Sequence, residues 1–127
     1  MNVKLTVLAT LALVGLAAAL YRPALAEGDG EAVTVKGEIV DLACYLPRGE
    51  KGRGPAHEEC AQMCAQGGAP LGVLDDAGHV LLLLEDHEKP APYKDAKKLA
   101  GGHAEITGKK VDRGGLPGLV VSSAKKS

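Results

Sequence analysis

The chain has 127 residues, a formal charge of −1, three Cys, and neither Trp nor Phe. That length is one domain's worth and leaves no room for several membrane spans. The balanced charge excludes the basic footprint of a nucleic-acid binder. The missing Trp and Phe remove the platforms on which single-stranded nucleic acids stack.

In chain order, the first feature is an export leader. Lys4 precedes an apolar run, Leu5 to Leu20, and Ala24-Leu25-Ala26 is a small-x-small cleavage site ahead of the polar Glu27-Gly28-Asp29-Gly30. This pattern predicts a signal peptide over 1–26 and one domain over 27–127, periplasmic or secreted, with no stable membrane span after cleavage. The alternative is an uncleaved anchor, for which the apolar run is short. No Cys follows the run, so lipoprotein processing is not indicated. Lys4 and Arg22 would leave with the leader and no acid would, which makes the mature domain more acidic than the whole chain.

Ala32 to Leu42 reads as a first strand, because Val33, Val35, Ile39 and Val40 favour extended backbone. Its alternation changes phase at Gly37, which predicts a bulge or bend there. Cys44 follows at the strand's exit. Pro47 to Pro55, with Gly49, Gly52 and Gly54 among Arg48, Lys51 and Arg53, reads as a solvated loop, or else as an anion-binding cover. Ala56 to Gln66 reads as a helix, with Glu58 and Glu59 in its first turn and Gly67-Gly68 as its stop. Leu71–Leu74 and His79–Leu84 read as a hairpin about the turn Asp75-Asp76-Ala77-Gly78. The unbroken Leu81–Leu84 suggests a strand covered on both faces. A helix over Tyr93–Ala100, a strand over Ala104–Val111, a turn at 113–118, a strand over Leu119–Ser123 and a frayed tail complete the chain.

The expected fold class is therefore mainly β (α+β). Five strands would form an OB-like barrel, with a Cys/His helix inserted after strand 1 and a helix between strands 3 and 4. The segments Val33-Thr34-Val35-Lys36-Gly37-Glu38-Ile39-Val40, Ile106-Thr107-Gly108-Lys109-Lys110-Val111 and Leu119-Val120-Val121, together with the leader, resemble small bacterial periplasmic proteins of the OB-fold type. The resemblance spans most of residues 32–123 and implies fold and compartment, not an activity. The Cys-bearing stretch 44–68 is not part of it.

The chemistry concentrates in that stretch. His57 and Cys60 are i, i+3, and Cys60 and Cys64 are i, i+4, so one helix face carries all three within about 60°. Cys44, folded back across the loop, would complete a Cys3His set. Such a set suits tetrahedral Zn²⁺, and its thiolates suit Cu(I), with Met63 a further thioether at the edge of the face. The predicted metal ligands are thus Cys44, His57, Cys60 and Cys64, the cofactor Zn or Cu(I), and the protein a binding protein rather than an enzyme. Two other readings stay open. Cys44 can pair with Cys60 or Cys64 in a stapling disulfide, leaving a spare thiol for a protein partner. A thiol redox role would need a depressed thiolate pKa. His87 among Glu85, Asp86 and Glu88 could bind a hard or borderline cation, but the cluster reads more readily as a solvated loop, and His79 and His103 read as surface residues.

Overall fold

The computed structural model describes residues 30–127. The leader predicted at 1–26 lies outside the described residues. Among those described, no helix is long and apolar enough to cross a membrane.

The β-branched run at the start of the domain forms β1, Ala32–Asp41. This strand serves two neighbours. Its first part pairs antiparallel with β4 (His103–Arg113), from Ala32 opposite Lys109 to Glu38 opposite His103. Its second part pairs antiparallel with β2 (Leu71–Asp75), from Gly37 opposite Asp75 to Asp41 opposite Leu71. Gly37 and Glu38 have partners on both sides. Both ladders keep register through Gly37, so the bulge expected there does not form. A glycine is needed because a Cβ at 37 would collide with the Leu74 carbonyl. The irregularity falls instead between Thr107 and Gly108, opposite β5 (Leu116–Lys126).

β2 turns back into β3, Val80–Leu84, through the tight turn read from the sequence. β3 then runs parallel to β5, with Leu82, Leu83 and Leu84 opposite Gly118, Leu119 and Val120. The order β1-β2-β3-β5-β4 returns to β1, so the five-stranded sheet closes in a ring. Closure removes the unpaired strand edges that open sheets must protect.

Two expectations about strands are corrected. The tail is not frayed: β5 continues to Lys126, which lies opposite Ala104. β4 offers backbone partners along its whole length, and a strand extends as far as its partner does. Nor is β3 covered on both faces, because only Leu83 is fully buried in it. Leu82 instead borders a surface groove of about 390 Å³ that Leu42, Leu46 and Leu116 also line.

The core fills the ring with Ile39, Leu71, Val73, Leu83, Ile106, Leu119 and Val121. Three helices decorate it: α1, Leu42–Arg48; α2, Glu58–Gln66; and α3, Ala91–Lys98. α3 starts two residues earlier than expected, with Pro92 near its start, where a missing N–H costs nothing. α2 reaches the core through Ala61 and Ala65, one helical turn apart. Its seat is set by the Gly101-Gly102 stop after α3. Gly101 N–H donates to the Ile39 carbonyl at 2.7 Å, and Ile39 N–H donates to the Gly102 carbonyl at 2.9 Å. Gly101 has φ +83°, and a Cβ there would stand 2.5 Å from Glu58 Cα. Only glycine lets the start of α2 lie so close to this loop.

Candidate metal centre

Strand β1 ends at Asp41, a fully buried carboxylate. Its backbone is still extended (φ −77°, ψ 123°), and its Oδ1 accepts the Cys44 N–H at 2.7 Å. Asp41 is therefore the N-cap of α1, the position where a short acceptor side chain satisfies an otherwise orphaned amide. Cys44 lies in the first turn of this helix, not at a bare strand exit as the sequence suggested. Pro47 sits in the last turn, and Gly49, with φ 57°, ends the helix by donating its N–H to Tyr45 O. The chain then runs through a short 3-10 turn, Gly49–Gly52, whose Gly52 is buried with its α-carbon against the Cys44 carbonyl.

A second 3-10 turn, Pro55–His57, leads into α2. His57 is 8% exposed, and its Nε2 lies 3.0 Å from Asp41 Oδ2. Cys60 and Cys64 follow on α2 one turn apart, beside the buried Ala61 and Ala65. The cysteines are half-buried, so they are neither core hydrophobes nor freely exposed groups.

The four ligands predicted from the sequence are brought together. Donor atoms of Cys44, His57 and Cys60 all lie within 4.8 Å of one another. So do those of Asp41, Cys44 and Cys64, and Cys44 belongs to both groups. The Cys44 sulfur therefore lies within 4.8 Å of both other sulfurs. All three cysteines are free, and no disulfide joins them. Such a cluster can hold a metal ion. Met63, the further thioether expected at the edge of the face, is 62% exposed.

The electrostatics favour the protonated form of two of the thiols, Cys44 and Cys64. Cys44 is pushed up to about 11, first by desolvation, then by its hydrogen bond to Asp41 and by the carboxylate's charge, against a smaller opposing pull from Arg48. Cys64 is raised too, by desolvation first and by Asp41 next. A cation entering the cluster would offset the same negative charge that holds these protons.

A second buried acid organises the segment. Glu38, 3% exposed, accepts Arg53 Nε–H at 2.9 Å and Gly54 N–H at 2.6 Å. The Gly-rich loop is thus fastened to β1 by one of its own basic residues, which occupies the charge that an anion would need. The sequence reading missed both Glu38 and Asp41. Each stands in the sequence as a polar residue interleaved in a strand, and only the distant partner that a buried carboxylate demands reveals its burial.

The remaining histidines stay apart from the cluster. His79 is exposed and pairs with Asp75 at 3.3 Å across the hairpin turn. His103 is exposed at the start of β4. Asp86, beside His87, turns its Oδ1 onto the Glu88 N–H at 2.9 Å, a local turn contact.

No protein-family model, curated protein or solved structure matches this chain.

Proposed function

We propose that the protein is an exported metal-binding domain that holds one Zn²⁺ or Cu(I) ion on an OB-like scaffold, with Cys44, Cys60 and Cys64 as thiolate ligands and His57 as the imidazole ligand. The observation that carries this reading is the convergence of four ligand-type side chains from α1, the turn before α2 and α2 itself, with no disulfide among the three cysteines. The five-stranded ring, with α3 between its third and fourth strands, supports the OB-like reading, because that is the element order from which it was expected. The leader motif supports export.

Zinc would use all four ligands in a tetrahedral, structural site. Cu(I) is satisfied by the sulfurs alone, and the site would then serve storage or delivery. In either case the ligands must shed their protons as the ion binds. The raised thiols count against a redox enzyme, which needs a stabilised thiolate at neutral pH. The proximity of Cys44 to both other thiols supports one competing reading, a stapling disulfide with a spare Cys for a protein partner.

The test is elemental analysis with a thiol count on protein purified without chelator. One ion per chain and three titratable thiols are expected. Cys60→Ser and Cys64→Ser should each abolish stoichiometric binding. An intact mass short by two hydrogens, with no bound metal, would overturn the reading in favour of the disulfide.

A further inference from the structure

Asp41, which is not among the four predicted ligands, meets two of them, Cys44 and His57, and shares a metal-capable group with Cys44 and Cys64. We propose that Asp41 is the positioning residue of the centre, and that it makes His57 present Nδ1, not Nε2, to the ion. This deepens the metal-site reading and rests on it.

Asp41 is fully buried, and both of its oxygens are engaged. Oδ1 takes the Cys44 N–H, and Oδ2 faces His57 Nε2. An ionised carboxylate is acceptor-only, so Nε2 carries the proton of that bond. A neutral imidazole protonated at Nε2 has its lone pair on Nδ1. Holding the non-ligating nitrogen of a histidine on a carboxylate fixes the tautomer and turns the ring, and it raises the basicity of the ligating nitrogen. Here the same carboxylate also caps the helix turn that carries Cys44. One buried group therefore references a ligand from α1 and a ligand from the entry to α2 to a common point. An ion bound at Nε2 would break that hydrogen bond and release the ring from Asp41.

Glu38 supplies the internal control. It stands on the same strand, is equally buried and also holds the 49–57 segment, yet it touches Arg53 and Gly54 and none of the four ligands. Loss of Glu38 disturbs the segment without acting on the imidazole.

The experiment is long-range ¹H–¹⁵N NMR of the His57 ring in the reduced, metal-free protein and after addition of one equivalent of Zn²⁺. It is repeated for Asp41→Asn, Asp41→Glu and Glu38→Gln, with zinc affinity measured by chelator competition. The wild type should show a protonated Nε2 in both states and a metal shift at Nδ1. Asp41→Asn keeps an oxygen for Cys44 N–H but turns an amide donor toward His57. It should move the ring proton to Nδ1 and weaken zinc by roughly 10–100-fold. Asp41→Glu should restore the Nε2-protonated tautomer in part, and Glu38→Gln should leave the tautomer unchanged. A zinc-loaded wild type with the shift at Nε2 and the proton on Nδ1 would overturn the proposal. Wild-type affinity in a folded Asp41→Asn would do the same. If the wild type takes up no ion, the metal reading fails by itself. The metal-free spectrum then decides whether Asp41 sets the tautomer, and a proton on Nδ1 there sinks that claim separately.

Discussion

The closed sheet and the 42–66 segment are held in place by different physics. The sheet buries Ile39, Val73, Ile106, Leu119 and Val121 and satisfies its backbone through its own ladders. The segment gives the core little more than two alanines, Ala61 and Ala65. It is fixed instead by two buried carboxylates on one strand. Glu38 holds the loop, and Asp41 holds the cap of α1 and the histidine before α2. Apolar burial is non-directional and tolerates small shifts, whereas hydrogen bonds to a buried acid fix position and angle. The site is thus built where geometry is determined by a few polar contacts, on a scaffold stabilised by many apolar ones.

The sharpest way to test this division is to damage each region alone. Ile106→Ala opens a cavity at the centre of the ring and should cost about 2–5 kcal/mol in denaturant unfolding, lowering ring and segment together. Saturating zinc, at about 100 times its Kd, should add about 2.7 kcal/mol to the wild type by mass action and nothing to Cys60→Ser; calorimetry with and without metal reads this directly. Gly101→Ala forces a side chain into a left-handed backbone against Glu58 and should cost about 1–3 kcal/mol. Because Gly101 joins the regions, zinc should recover part of that loss. Glu38→Gln keeps the shape but weakens the hold on Arg53 and Gly54. Its signature should be faster hydrogen exchange at the Gly54 amide, with strand amides such as Ile106 little changed.

The smallest effect belongs to the ring's own turn. Asp75 is held below its ordinary 3.8, chiefly by accepting the His79 backbone N–H. A depressed folded-state pKa means that this contribution is complete above about 3.8 and disappears as the pH falls through the lower, folded value. NMR titration should show the hairpin amides of Ala77 and His79 shifting in that acid range. Asp75→Asn should remove the titration and leave the cysteine cluster untouched.

Much of this was readable from local spacing. His57, Cys60 and Cys64 shared a helix face on paper because i, i+3 and i, i+4 relations are set by helical geometry alone. The hairpin at 75–78 and the five strands followed from alternation and turn residues. What escaped depended on distant partners. Asp41 and Glu38 meet His57, Arg53 and Gly54 some sixteen residues away, a separation that carries no periodic signal. The helix holding Cys44 was hidden by Pro47, which reads as a breaker although it falls in a final turn. The length of β5 is fixed by β4 and not by its own polar Ser122, Ser123 and Lys125.

The ring also imposes an order of events on a growing chain. The first part of β1 has no strand partner until residues 103–109 exist, and β3 waits for 118–120 on its open side. Helical turns around the cysteines are local and form on a far shorter timescale than pairings across such distances. The thiols are therefore translated well before the strands that close the ring. The whole cysteine segment is thus present before the ring that carries it can close.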